Sequence, residues 1–254
     1  MQLFDTHCHL DLEAFADDRD TVLASARSRG VSDILVPGVE RRTWPELAAF
    51  CATDNHLHLA LGLHPVFLDA HGVEDVEALS PAVETWRPIA IGEIGLDWQI
   101  KSLDRDKQQR LLEAQLAVAE TFGLPVVLHV RKAHDAMLAT LKRFHLPGGF
   151  CHAFNGSQQQ AEQYLQLGFR LGFGGMLTYE RSTHLRRLAA ALPAAAIVLE
   201  TDAPDMTVAS HRYQRNSPAY LPEVLSALAA VRQTDAGTLA DVTTQNAHEV
   251  LGLG

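Results

Sequence analysis

The chain has 254 residues, 47% of them hydrophobic, and a formal net charge of −10. This composition is sufficient for a buried core, and the acidic balance argues against a protein that coats nucleic acid, although it allows a small phosphate-binding site. No apolar run reaches the roughly 18 residues of a membrane span, and a strand-like run starts at once, so we expect neither a membrane anchor nor a signal peptide.

Eight short apolar runs, separated by longer amphipathic stretches, organise the chain. In order they are residues 3–6, 33–39, 57–63, 89–94, 126–130, 149–152, 170–174 and 196–200. Nearly continuous apolar runs of this length are typical of parallel strands covered on both faces. Helical periodicity follows over residues 19–29, 104–122, 157–167, 182–192, 221–233 and 239–251.

This alternation of strands and helices predicts an α/β fold. Eight βα units in about 250 residues predict a (β/α)₈ TIM barrel, and we expect one domain over residues 1–254. In such barrels the side chains at the carboxyl ends of the strands face a common mouth. The polar, irregular stretch 206–219 follows the eighth run and is expected to form the last loop over that mouth.

Seven potential metal ligands lie at or just after the ends of these predicted strands. They are His7, His9, Glu93, His129, His152, Glu200 and Asp202. Strand side chains alternate, so His7 and His9 face one side together, as do Glu200 and Asp202. Imidazoles and carboxylates that converge on one mouth predict a site for Zn²⁺ or a similar divalent ion, which can activate water at neutral pH.

The number of ligands predicts two divalent ions, because one zinc ion takes about four ligands. We expect the ions to share Glu93 as a bridge, with the remaining ligands divided as His7, His9 and Asp202 on one ion and His129 and His152 on the other. Asp202 is also placed to accept a proton from water as general base, so Glu93 and Asp202 are the expected catalytic residues. Glu200 has two interpretations: it binds a further ion or orients a ligand, or it is an inward-pointing residue behind the metal ligands.

Six short motifs resemble those of the TatD family of metal-dependent hydrolases, which belongs to the amidohydrolase-like TIM barrels. In chain order they are Asp-Thr-His-Cys-His-Leu at 5–10, Gly-Leu-His-Pro at 62–65, Gly-Glu-Ile-Gly-Leu-Asp at 92–97, Leu-His-Val-Arg at 128–131, Cys-His-Ala-Phe-Asn-Gly at 151–156 and Glu-Thr-Asp-Ala-Pro at 200–204. The resemblance covers Asp5 to about Pro218. It implies phosphodiester hydrolysis by a deoxyribonuclease that trims DNA from the 3′ end with Zn²⁺, Mg²⁺ or Mn²⁺.

The resemblance also implies substrate contacts. His64 would meet a phosphate, with a loop hydrogen bond as the alternative. Arg131 would place its guanidinium on a phosphate oxygen, with a surface ion pair as the alternative. Asn216 lies in an Asn-Ser-Pro segment similar to one that lines the family's pocket. Arg212 and Arg215, in the same loop, would hold a nucleic-acid backbone or remain solvated.

Other functions compatible with these residues stay open. The same ions could hydrolyse another ester or amide bond, as in a D-aminoacyl-tRNA deacylase, or the barrel could bind metal or nucleic acid without catalysis. The motif after the sixth predicted strand reads His-Ala-Phe-Asn-Gly where the family often has His-Cys-Phe-Thr-Gly or His-Gly-Phe-Ser-Gly, which changes the wall beside His152. DNA is the expected partner, with no membrane and no obligate protein partner. Cys8, Cys51 and Cys151 lack metal-binding spacing and predict reduced thiols in a cytoplasmic protein.

Overall fold

The computed structural model describes residues 1–253 and contains one sheet of eight parallel strands, in the order β1 to β8. The strands are β1 Leu3–Asp5, β2 Val31–Pro37, β3 Leu57–Leu61, β4 Ala90–Asp97, β5 Val126–Arg131, β6 Gly149–Cys151, β7 Phe169–Phe173 and β8 Ile197–Leu199. Each strand pairs with the next one along the chain. Every predicted run overlaps one strand, so the predicted (β/α)₈ barrel is confirmed.

Strand ends differ from the prediction near the barrel mouth. β6 ends at Cys151 and β8 at Leu199, so His152 and Glu200 follow their strands instead of lying within them. β4 continues to Asp97, beyond its predicted end at residue 94. Apolar character marks where a strand is buried, whereas the strand ends where the backbone turns away from its neighbours and the ladder hydrogen bonds stop.

Helices cover the outside of the sheet. They are α1 Arg19–Ser28, α2 Trp44–Cys51, α3 Val73–Glu77, α4 Leu79–Trp86, α5 Arg105–Phe122, α6 His134–Leu141, α7 Gln158–Gln166, α8 Thr183–Ala191, α9 Leu221–Arg232 and α10 Ala236–Leu251. The six predicted helical stretches correspond to α1, α5 and α7 to α10. The remaining four have eight residues or fewer, too short for a clear periodic pattern. Within residues 1–253, no helix has both the length and the apolar character needed to span a bilayer.

The first and last strands meet along a seam near the barrel mouth. The Thr6 N–H and hydroxyl both donate to the Leu199 carbonyl oxygen at 3.0 Å. Just beyond the strands, the Asp202 N–H donates to the His7 carbonyl oxygen at 2.8 Å. The seam therefore fixes the loops after β1 and β8 against each other, and two of the predicted metal ligands lie on it.

An apolar layer fills the barrel interior below the mouth. Its buried members from the strands are Phe4, Leu35, Ala60, Ala90, Val127, Phe150 and Val198. Helix α10 packs Ala247 and Leu251 against this layer. It also donates hydrogen bonds to the backbone at the amino-terminal ends of β1 and β8. The Thr244 hydroxyl donates to the Gln2 carbonyl at 3.1 Å, and the Asn246 amide donates to the Ile197 carbonyl at 2.7 Å. The opposite, carboxyl-terminal end carries the polar residues.

Asp33, on β2, accepts hydrogen bonds from two histidines near the start of β3. Its Oδ1 lies 2.9 Å from His58 Nε2 and 3.1 Å from His56 Nδ1. Burial opposes the charge of Asp33, but the hydrogen bonds from His58, His56 and Ser32 outweigh it and lower the pKa of this carboxyl. The ionised form of Asp33 therefore stabilises the fold away from the mouth.

We expect Asp33→Asn to lower the free energy of unfolding by about 1–2 kcal/mol at pH 6. The folded-state pKa lies below the unfolded value, so the contribution of the carboxylate is complete above about pH 4 and is lost as the pH falls through the folded pKa. The deficit of the variant relative to the wild type should shrink in urea titrations at pH 6, 4 and 3. A deficit that is constant over this series would contradict the assignment.

Candidate metal centre

The carboxyl ends of the strands bring the seven predicted ligands to one end of the barrel. Two of them lie within strands and five on the loops that follow. The strand members are Glu93 on β4 and His129 on β5, and the loop members are His7, His9, His152, Glu200 and Asp202. Parallel strands in a barrel end at one face, which is why residues far apart in sequence converge here.

Three groups of side chains at this end have ligand atoms within 4.8 Å of one another. They are His7, His9 and Asp202; His7, Glu93 and His152; and His64, Glu93 and His129. Glu93 belongs to two of the groups. The third group contains His64 together with His129, whereas His152 lies beside His7, with their rings stacked at 3.7 Å.

The first side of the centre is formed by His7, His9 and Asp202. The two histidines point Nε2 atoms at each other across 3.2 Å, and Glu93 Oε2 lies 3.1 Å from His7 Nε2 and 3.3 Å from His9 Nε2. Asp202 Oδ1 is 3.7 and 3.8 Å from the same two nitrogens. More nitrogen and oxygen lone pairs converge here than there are protons to form hydrogen bonds between them. The donor set therefore fits a bound cation.

The histidines of the centre keep the carboxyl groups of Asp202 and Glu93 ionised. Burial disfavours the ionised form of Asp202, yet His152, His7 and His9 lower its pKa to about 2. Burial also disfavours the charge of Glu93, and the histidines around it hold its pKa well below the ordinary value. Both groups are carboxylates at neutral pH, the form that binds a divalent ion.

The second side of the centre faces the other oxygen of Glu93. Oε1 lies 3.0 Å from His129 Nδ1 and 3.1 Å from His64 Nε2. His64 Nδ1 accepts from the Val66 N–H at 3.1 Å, which directs Nε2 toward the centre. Burial lowers the pKa of His64 to about 4, so its ring is neutral. Each carboxylate oxygen of Glu93 thus has its own set of imidazoles, the geometry required of a bridge.

Two further buried carboxylates, Asp97 and Glu200, lie beside the rings of His129 and His152. Asp97 Oδ2 lies 3.2 Å from His129 Nε2, and Oδ1 accepts from the Gln99 N–H at 2.9 Å. Glu200 Oε1 lies 3.0 Å from His152 Nδ1 and accepts from the Ala153 N–H at 2.7 Å. Such partners fix the orientation of a metal-binding imidazole. Among residues 1–253, Glu200 joins none of the three groups, which favours its orienting interpretation over direct ligation.

The interpretation of the sequence missed the role of Asp97, although a signal was present. Strand β4 runs to Asp97, so Glu93, Gly95 and Asp97 alternate onto one face. Gly95 allows β5 to approach, because a Cβ there would lie 1.9 Å from the His129 carbonyl oxygen. Extending the predicted strand by three residues would have placed Asp97 beside Glu93.

We expect Gly172→Ala to weaken divalent-metal affinity by about 10–100-fold. The added Cβ would lie 2.0 Å from Glu200 Oε2, so the carboxylate must move away from His152. Only the end of a side chain is displaced, and the barrel should still fold. Isothermal titration of metal-stripped protein with Zn²⁺ or Mn²⁺ measures the affinity.

The matched control for this substitution is Gly123→Ala, after α5. There a Cβ would have nothing within 4 Å, but the backbone φ of +63° makes any side chain strained. This control should lose about 1 kcal/mol of stability and keep its metal affinity. Equal affinities in the two variants would show that Glu200 does not orient His152.

A cavity of about 920 Å³ opens over the centre. Its apolar wall includes Leu12, Val39, Phe67, Ile100, Phe154 and Met176. Asp205 and Met206 also line it, so the predicted stretch 206–219 begins at the mouth, although its other residues do not line the cavity. His64 and Arg131 line the cavity too. The exposed Arg131 guanidinium is 3.9 Å from Asp97 Oδ2, a long contact that leaves its donors facing the cavity.

Asn216 has a different role from the predicted substrate contact. Its side chain is fully buried and donates to the Thr201 and Asp205 carbonyl oxygens, both at 2.7 Å, while its Oδ1 accepts from the Ser217 N–H at 2.9 Å. It is absent from the residues that line the cavity. Asn216 therefore holds the loop after β8 in place and has no donor left for a substrate.

The two arginines of the same loop also differ in their surroundings. Arg215 forms a two-pronged ion pair with Asp18, at 2.9 and 2.6 Å, and its guanidinium lies 4.5 Å from the Phe15 ring centroid. It anchors the loop against the segment before α1, so Arg215 is not a freely solvated charge. Arg212 stacks over the exposed ring of Tyr213 at 4.5 Å.

Comparisons with known proteins agree with this geometry. The family model for TatD related DNase matches residues 4–252. The uncharacterized metal-dependent hydrolase YjjV of Escherichia coli strain K12 is 39% identical, over 99% of this chain and 98% of that protein. The 3′-5′ ssDNA/RNA exonuclease TatD of Erwinia tasmaniensis is 33% identical, over 99% of this chain and all of that protein. The crystal structure of YjjV, a TatD homologue from Escherichia coli strain K12, has a TM-score of 0.95 at 38% identity, over 99% of this chain and 98% of that one. The chain belongs to the TatD family.

Proposed function

We propose that the protein is a divalent-metal-dependent phosphodiesterase that removes nucleotides from the 3′ end of single-stranded DNA. The observation that carries this proposal is the two-sided environment of Glu93, whose oxygens face separate sets of imidazoles at 3.0–3.3 Å. The relative from Erwinia tasmaniensis, named a 3′-5′ ssDNA/RNA exonuclease, supports the substrate and the direction. The same name includes RNA, so we propose RNA as a second substrate.

We propose that two divalent ions bind on the two sides of Glu93. We assign His7, His9 and Asp202 to one ion and His129 and His152 to the other. His64 groups with His129 and Glu93, whereas His152 groups with His7 and Glu93, so His152 lies between the two sides. When bound, such ions lower the pKa of water and stabilise the charge that develops on a phosphate. A mixed set of imidazoles and carboxylates suits Zn²⁺ or Mn²⁺, whereas Mg²⁺ prefers oxygen ligands.

The protein's own groups would orient the substrate and move the proton. Asp202 is ionised at neutral pH and lines the cavity, so it can accept a proton from the attacking water. Neutral His64 carries its proton on Nε2, since its Nδ1 accepts a backbone hydrogen bond, and it can turn this donor from Glu93 Oε1 to a phosphate oxygen. Arg131 offers a planar pair of donors to the same phosphate. The apolar wall of the cavity excludes competing water from the reacting atoms.

The deciding experiment is digestion of a short 5′-labelled single-stranded DNA by metal-stripped protein, with Mg²⁺, Mn²⁺ or Zn²⁺ added back. We expect a metal-dependent ladder that shortens from the 3′ end and that forms about 10²–10³-fold more slowly with Asp202→Asn. Metal binding without cleavage would overturn the nuclease proposal and favour another ester or amide substrate, such as an aminoacyl ester. Metal binding without turnover on any of these would favour a binding protein.

The cysteines support the predicted cytoplasmic location, which is part of this proposal. Cys8, Cys51 and Cys151 are all buried and free. Unpaired, buried thiols are typical of proteins in reducing compartments.

A further inference from the structure

Arg181 is a cation in the cavity with no anionic partner. It lies on the loop between β7 and α8, is exposed and lines the same cavity as the metal centre. Arg131 is the other arginine of the cavity, and it has Asp97 at 3.9 Å. Within residues 1–253, no carboxylate oxygen lies within 4.0 Å of the Arg181 guanidinium. Its charge is therefore available to an incoming ligand.

The surrounding loop holds Arg181 in position. The Ser182 N–H donates to the Tyr179 carbonyl at 3.0 Å and closes a turn around Arg181. The guanidinium lies over the Tyr179 ring, 5.4 Å from its centroid. The Tyr179 hydroxyl donates to the Thr207 carbonyl at 3.1 Å, which ties this loop to the one after β8. An arginine restrained in this way loses less conformational entropy when it binds a ligand.

The cavity is acidic, so an anion is expected to bind near Arg181 only when another part of the same molecule binds at the metal centre. Glu93, Asp97, Asp202 and Asp205 all line the cavity of a protein whose net charge is −10, so a free anion has little reason to enter. The planar guanidinium fork matches phosphate oxygens. A cavity of about 920 Å³ lies at the upper end of the range for small-molecule sites, which leaves room beyond one nucleotide.

We propose that Arg181 binds a second phosphate of the strand, next to the phosphate that is cleaved, and so selects substrates with at least two phosphodiester groups. This proposal rests on the proposed nuclease function and deepens it. One nucleotide would lie over the metal centre, with the next phosphate reaching across the cavity to Arg181. Arg181 is a specificity residue in this scheme, since it touches the substrate away from the reacting bond.

The first test compares substrates with one and with several phosphodiesters. For the wild type, kcat/KM is measured on thymidylyl-thymidine, which has one phosphodiester, and on a thymidine octanucleotide. We expect Arg181→Ala to lower the ratio of kcat/KM for the octanucleotide to that for the dinucleotide by about tenfold. Arg181→Lys should recover part of the ratio, because it keeps the charge and loses the fork.

The matched control is Arg187→Ala, on α8, whose side chain is exposed, donates to the Thr183 carbonyl at 3.3 Å and does not line the cavity. It should keep the wild-type ratio. If Arg181→Ala lowers both kcat/KM values by the same factor, or neither, the second phosphate site is wrong. If the wild type cleaves neither substrate with any metal, the nuclease proposal itself fails. This result is distinguishable from failure of the second phosphate site alone.

The second test measures binding without cleavage. Fluorescence anisotropy of the labelled octanucleotide is followed in Asp202→Asn protein, with and without Arg181→Ala, from low to high salt. Loss of one phosphate contact should reduce the slope of log affinity against log salt by about 0.7 for a single strand. An unchanged slope would overturn the proposal even if the affinity fell.

Discussion

Glu93→Gln is expected to lose turnover by roughly 10³-fold or more and to lose most of its divalent metal. Glu93 presents Oε2 to His7 and His9 and Oε1 to His64 and His129. Glutamine keeps the shape but removes the charge and turns one oxygen into a donor that faces an imidazole. Because the residue is buried, no solvent replaces the lost carboxylate. Both sides of the centre should therefore fail together.

Metal content by inductively coupled plasma mass spectrometry and turnover on the labelled oligonucleotide measure this outcome. Glu84→Gln, on the exposed side of α4, is the matched control and should retain both metal and turnover. If Glu93→Gln kept its full metal content and full activity, Glu93 could not be the bridge. If it lost metal from one side alone, the two sides would not share this residue.

Asp202→Asn is expected to lower turnover by about 10²–10³-fold, with a smaller loss of metal than in Glu93→Gln. The substitution removes the proton acceptor while one oxygen can still bind a cation. Asp202 has a backbone φ of +57°, a conformation that asparagine tolerates about as well as aspartate. The fold should thus be undisturbed, and the loss would report on chemistry and ligation alone.

Thermal unfolding of metal-stripped Asp202→Asn, compared with metal-stripped wild type, checks this separation. The histidines that lower the pKa of Asp202 also stabilise its carboxylate, so a moderately lower midpoint in the folded variant is expected together with the loss of turnover. Wild-type turnover in the variant would remove Asp202 from the mechanism. Asp202→Ala provides a contrast, because alanine at a positive φ adds backbone strain and should lower the unfolding midpoint further.

The barrel and most of the candidate site could be predicted from sequence because both depend on local pattern. Buried parallel strands are short apolar runs, and the polar residues at their ends, such as His129 and Asp202, stand out against them. His7 and His9 face each other as predicted, although they lie on the loop after β1 and not on a strand. These inferences need only neighbouring residues and the general geometry of a barrel.

What could not be predicted depends on partners distant in sequence. Arg215 pairs with Asp18 across the barrel mouth, and no spacing in the chain indicates that pairing. The amide of Asn216 is used by two backbone carbonyls whose positions follow from the fold of the loop. The contact between His64 and Glu93 likewise depends on how the loop after β3 turns back. Motif resemblance located these residues but could not assign their contacts.

The seam between the first and last strands decides when the centre can exist during synthesis of the chain. His7 leaves the ribosome near the start of translation, whereas Asp202, which donates to the His7 carbonyl at 2.8 Å, emerges only after four-fifths of the residues have been made. A nascent chain that lacks β8 can hold neither the seam nor the full ligand set. The growing polypeptide therefore lacks a complete metal centre, and activity that depends on this centre begins only with barrel closure.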